Sequence, residues 1–191
     1  KQPMTRDEDG IWSLTVGPLE PCTGTYQFTV DGVPVADPRN PAIKPAFRGP
    51  VSSLFLVPAS PPAVWEPRPV PHGAVHAHWY RSPANDELRR FHVYTPPGYE
   101  NGKGRFPVLY LLHGAGDTDA EWVGVGRANI VLDNLIAERK ARPMIVVMPA
   151  GHISVPGEVR SPLGSFSAFE KDLLEGVIPA AEKLYRVTGR R

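Results

Sequence analysis

The sequence holds 191 residues, 41% apolar and 21% charged, proportions that let a chain bury a core and argue against general disorder. Its formal net charge of +1 gives no basis for nucleic acid or an anionic membrane as partner. No apolar run approaches the roughly 18 residues of a membrane span, and the lone Cys22 excludes an intrachain disulfide and a multi-cysteine zinc site.

The predicted elements begin with strands. Trp12, Leu14 and Val16 alternate with Ser13 and Thr15, the period of a half-buried strand. Tyr26, Phe28 and Val30 alternate again. Asp31-Gly32 follows and separates them from Val33 and Val35, a hairpin signal because both turn residues need positive φ. Ser53–Val57 is a further strand, which makes about four in residues 1–57, fewer than the roughly seven of a closed sandwich. The alternation assigns Trp12, Tyr26 and Phe28 mainly to a core. Cys22, between Pro21 and Thr23, reads as a structural thiol in a turn.

Pro58, Pro61, Pro62, Pro67, Pro69 and Pro71 follow closely, each with φ fixed and no amide donor. Residues 58–73 are therefore expected to be a stiff, extended linker between two units, with a long surface loop as the alternative. Beyond it, Ala74–Tyr80 and Leu88–Thr95 read as two strands. Val108–Leu112 is an all-apolar run typical of a strand buried on both faces. Ala128, Val131, Leu132, Leu135 and Ile136 form one helical stripe, with Pro143 as its stop. Met144–Met148 is a second buried strand. A last helix is expected from Ser167, where Ser167-x-x-Glu170 fits a capping box, with a kink at Pro179. Strand, helix, strand, helix with apolar strands predicts a parallel α/β sheet with covered faces.

Chemistry concentrates at His113-Gly114-Ala115-Gly116-Asp117, at the carboxyl end of a buried strand, where open α/β sheets bind ligands. Glycines there let the backbone turn sharply, and an amide on such a turn can donate to a developing oxyanion. An ordinary glycine-rich connection is the alternative. Of the six histidines, His76 and His78 share a strand face but lack a completing ligand pattern, and His152 follows the second buried strand. Trp122 reads either as a pocket wall or as packing under the turn. Asp133 and Glu138 read as solvated on the polar helix face.

These segments resemble a known family. Phe91–Tyr99 (FHVYTPPGY), Val108–Gly116, Glu121-Trp122, Arg127–Glu138 (RANIVLDNLIAE), Phe169–Leu174 and Ile178-Pro179 together resemble the α/β-hydrolase esterases of carbohydrate esterase family 1, with feruloyl esterases of plant cell-wall degradation as the nearest members. Trp12–Leu19 and Phe28–Gly32 similarly resemble the end of the small immunoglobulin-like (E-set) module that often precedes such enzymes. The resemblance implies a β-sandwich remnant in residues 1–57, the 58–73 linker, and the N-terminal half of an α/β-hydrolase domain in 74–191. It implies a serine ester hydrolase of plant cell-wall carbohydrate esters, extracellular, with a small-molecule or polysaccharide ester as substrate. No metal and no organic cofactor are implied, and no nucleic acid or membrane partner. It assigns the oxyanion donor to the Ala115 amide, with Gly114 and Gly116 as its turn, and substrate contacts to Asp117, Trp122 and His152; His113 is structural.

The sequence departs from the family at the nucleophile. None of the nine serines has a glycine two residues before it, so no Gly-x-Ser-x-Gly elbow is present. The resemblance therefore implies an internal piece of a longer esterase, with the triad beyond Arg191 and the piece inactive by itself. A rival reading is a non-catalytic carbohydrate- or protein-binding module. A third is an esterase for a formylglutathione or an acetylated sugar.

Overall fold

The computed structural model describes residues 2–47, 49–155 and 165–189; Ser161 and Arg191 lie outside them. The front of the chain forms β1 (Thr5–Arg6), β2 (Trp12–Ser13), β3 (Cys22–Tyr26), β4 (Phe28–Val30), β5 (Val33–Val35), β6 (Ile43–Lys44) and β7 (Ser52–Val57). All pairings are antiparallel: β1 with β2, β4 with β5, and β7 between β3 and β6. The β4–β5 turn carries φ of 50° at Asp31 and 84° at Gly32, as the Asp-Gly signal requires. Two expectations need correction. The strand expected over Trp12–Val16 shrinks to two residues, and Trp12 is 59% exposed, with Leu14 and Val16 also exposed. A two-residue pairing buries too little to sequester them. Cys22 opens β3, opposite Val57, instead of sitting in a turn. Gly24 is needed opposite Phe55, since a Cβ there would fall 2.4 Å from the ring.

Residues 58–73 hold no strand or helix, consistent with their prolines. They are bound along their length to the helix α2 (Ala128–Ala137). The Asn134 side-chain amide donates to the carbonyls of Val64 (2.7 Å) and Glu66 (2.9 Å). Arg127 donates to the Trp65 carbonyl, and Asp133 accepts from the Gly73 amide at 3.0 Å and faces His72 Nδ1 at 2.9 Å. Glu66 is buried and accepts from the amides of Ala59 and Ala63, which hold its carboxyl below the usual range. Asp133 is thus 1% exposed, and Glu138 is paired with Arg68 and Lys140. The solvated reading is thus corrected for Asp133, which the proline-rich segment covers, whereas Glu138 is exposed as expected, with Arg68 and Lys140 beside it.

The main sheet contains β8 (Ala74–Arg81), β9 (Leu88–Thr95), β10 (Val108–Tyr110) and β11 (Ile145–Pro149), in the order β10-β11-β9-β8. β10 and β11, the strands that alternate with helices, are parallel as expected; β9 is antiparallel to both β11 and β8, so the sheet as a whole is mixed. A short connection through Ser82–Glu87 makes β8 and β9 a hairpin, which forces that direction. β11 is buried throughout, as its sequence predicts. β10 is shorter than expected, and Leu109 and Leu112 are exposed because β10 lies at the sheet edge. Past the helices the chain returns to that edge: Phe106 and Val187 form a parallel bridge.

One turn of helix, α1 (Glu121–Gly124), precedes α2. α2 ends at Ala137, before Pro143, because Arg139 adopts a left-handed φ of 58° and turns the chain. The last helical run comprises α3 (Phe166–Lys171), a π-helical stretch Asp172–Val177, and α4 (Ile178–Leu184). Its cap is Ser165, whose Oγ accepts from the Ala168 amide at 3.2 Å, two residues before the expected Ser167. Pro179, where a kink was expected, stands just inside α4 behind the wider π turns, which accommodate its missing amide. No helix among the described residues is long and apolar enough to cross a membrane.

Candidate active site

The glycine-rich turn follows β10 at its carboxyl end. Asp117 N donates to Gly114 O at 3.1 Å, and Gly116 has φ of 101°, the sign a type II turn requires at its third residue. Ala115 is exposed at the second position, and among the described residues its amide has no hydrogen-bond acceptor. The Gly116 amide is turned toward His152 Nε2, at 3.3 Å.

Three supports hold this turn. His113 uses both ring nitrogens: Nδ1 donates to Gly114 O at 2.8 Å and Nε2 accepts from Gly151 N at 2.7 Å. Those contacts fix one neutral tautomer and leave no lone pair for proton abstraction, which matches a structural role. Trp122 packs against the Tyr94, Val146 and Met148 cluster, and its indole donates to Leu112 O at 2.8 Å, so it braces the strand end from beneath. The third support comes from the front of the chain. Phe47 N donates to Gly116 O at 3.0 Å, and the Phe47 ring stacks on His152 with centroids 4.0 Å apart. Lys44 Nζ reaches Asp117 Oδ1 at 2.9 Å and Glu121 Oε1 at 2.7 Å.

The loop carrying His152 is fixed from the sheet. Arg89 of β9 donates to the carbonyls of Ala150 and His152, and its Nε lies 3.0 Å from Asp172 Oδ2. Asp172 is fully buried in the π-helical stretch and also accepts from Tyr80 at 2.6 Å. The Tyr80 phenol is pushed well up by burial and by that carboxylate. His76 and His78 share a face of β8, where His78 meets the Tyr185 hydroxyl and His76 lies 3.8 Å from Glu100.

The esterase family model ("Putative esterase") matches residues 82–188, more than half of the chain. The chain belongs to this esterase family. A protein of Xylanibacter ruminicola named endo-1,4-beta-xylanase/feruloyl esterase is 32% identical over 189 residues, 94% of this esterase chain and 25% of that protein. The chain therefore spans a quarter of that relative's length. A CE1 ferulic acid esterase from Anaeromyces mucronatus shares 25% identity at a TM-score of 0.56, over 64% of this chain and 47% of that one. The ferric enterobactin esterase of Salmonella typhimurium, 15% identical, matches in fold over 97% of this chain and 52% of that one at a TM-score of 0.59. The α/β-hydrolase-like architecture of the esterase is thereby established.

Sequence reasoning brought Gly114, Ala115, Gly116, Asp117, Trp122 and His152 to one edge of the esterase sheet, and the structure gathers them there. It missed Lys44 and Phe47, which are 73 or so positions away and belong to an exposed-looking strand and loop. It also missed Arg89 and Asp172, which sit among other titratable residues (Arg90 and His92 in β9; Glu170, Lys171 and Glu175 around Asp172) and so carry no pattern of their own.

Proposed function

We propose that the whole protein carrying this chain hydrolyses feruloyl or acetyl esters of plant cell-wall carbohydrate outside the cell, and that the turn after β10 supplies one of its two oxyanion donors. The donor is the Ala115 amide; Gly114 and Gly116 shape its turn, Asp117 and His152 border the bound ester, and Trp122 underlies it. Residues 1–57 act as an E-set-type module joined through 58–73 to the first half of the hydrolase domain, 74–191. In this chemistry a serine attacks the ester carbonyl, a histidine takes its proton and an acid orients the histidine. None of the nine serines here stands in a Gly-x-Ser-x-Gly elbow, so the 191 residues alone are expected to leave methyl ferulate at the background rate.

The observation that supports this reading is the exposed Ala115 amide, without an acceptor among the described residues, on a turn braced from three sides. An amide fixed in place before reaction pays no reorganisation cost when charge develops. Ala115→Pro removes that N–H at a position that suits proline in a type II turn, although it also restricts Gly114, which the folding control covers. In the whole protein it is expected to lower kcat by about 10²–10³ with KM little changed. Steady-state kinetics on methyl ferulate, with circular dichroism for folding, tests this. A folded variant with full turnover places the donor elsewhere.

A further inference from the structure

We propose that Lys44, from the front of the chain, is a positioning residue for ester hydrolysis: it neutralises two carboxylates that would otherwise face the developing oxyanion. This rests on the oxyanion reading of the Ala115 turn. Asp117 closes that turn through its own amide, and its carboxylate folds back over it, with Oδ2 2.9 Å from where a Cβ on Gly114 would lie. Glu121, one helical turn further, is buried and its Oε2 has no hydrogen-bond partner among the described residues. The Asp117 charge thus lies against a turn built to receive another, and Lys44 bridges it to the Glu121 carboxylate. Lys44 Nζ contacts both, at 2.9 Å and 2.7 Å. The pair of carboxylates also raises the lysine's affinity for its proton, Glu121 most and then Asp117.

Neutralisation matters most in the transition state. Ground-state esters are uncharged, so two uncompensated carboxylates weaken substrate binding little, whereas they oppose the oxyanion directly. The front strand β6 and the loop to Phe47 are therefore part of the site, although the serine chemistry lies in the hydrolase domain. Phe47 fixes the backbone of the same turn through Gly116 O, and Lys44 sets its electrostatics.

The test uses the whole protein with methyl ferulate and p-nitrophenyl acetate. Lys44→Met is expected to lower kcat on both esters by about ten- to a hundredfold, with KM within about twofold of wild type. Adding Asp117→Asn and Glu121→Gln removes the charges that the lysine opposed, and most of the lost kcat returns, whatever the change at the ester-bordering Asp117 does to KM. A lysine that merely tied the front unit down would give no such rescue, since the triple variant lacks the tie as well. Thermal melts of all three proteins show whether each is folded. Unchanged turnover in Lys44→Met, or a triple variant as slow as the single one, overturns the proposal. A wild-type protein that hydrolyses neither ester sinks the underlying reading instead, and that outcome is visible before any variant is made.

Discussion

At the scale of single residues, the charges behind the site are tightly paired. Asp119 follows the glycine-rich turn and is almost fully buried. Arg90 of β9 grips it at 2.6 Å and 3.0 Å, and His92 Nδ1 lies 2.9 Å away. Burial by itself would raise this carboxyl, but His92 and Arg90 outweigh it and hold it at about 2, below its ordinary 3.8. The folded state thus binds this proton less tightly than the unfolded chain does. Its stabilising contribution is complete above pH 3.8 and disappears as the pH falls toward about 2. Urea midpoints of wild type and Asp119→Asn, measured from pH 5 to pH 2, are expected to converge over that window. Midpoints that fall in parallel would show that Asp119 contributes nothing to acid sensitivity.

At the scale of elements, the π-helical stretch is the departure from regular geometry with most consequence. It turns Asp172 inward to Tyr80 and Arg89, and brings Gly176 against the β8–β9 connection. A Cβ on Gly176 would lie 2.9 Å from Pro83 Cδ and 3.0 Å from Tyr80 Cε2, both atoms of rings with little freedom to yield. Gly176→Ala gains about 1 kcal/mol of helix propensity but loses more to overpacking, so a net cost of about 1–2 kcal/mol is expected in chemical denaturation. Gly124→Ala, where a Cβ meets nothing within 4 Å, is the control and should not destabilise. A neutral Gly176→Ala would mean that the hairpin turn gives way freely. Apolar patterning made α2, β9 and β11 legible: α2 carries a single stripe, and the buried residues of β9 and β11 divide between two clusters, which leaves β11 apolar throughout. It did not reveal the π turns or the shortened β10. Those depend on neighbours: Tyr80 and Pro83 for the first, an edge position for the second. The site was legible at the glycine turn, where sequence-local backbone demands are strong. Its Lys44 support was not, because an isolated lysine carries no pattern.

At the scale of the whole molecule, apolar surface remains open. β10 has β11 on one side, and on its other side Val187 reaches only as far as Phe106. Leu109, Leu112, Leu174 and Leu184 are exposed, and Phe166 is 74% exposed. A parallel strand is ordinarily covered on both sides, and an open apolar edge invites association. The 191-residue chain by itself is expected to bind a hydrophobic dye and to elute as a mixture of assemblies. A monodisperse monomer with a sharp melt would contradict this. The binding of residues 58–73 to α2 carries a different implication, for where the chain can be cut and rejoined. A proline-rich stretch resembles a neutral splice point, yet here its backbone carbonyls are claimed by Asn134 and its Gly73 amide by Asp133. Residues 1–73 transplanted onto another fold of this kind would arrive without their receptor unless the recipient helix presents the same Asp-Asn pair. Shuffling at this boundary is therefore expected to succeed only when the segment and α2 travel together.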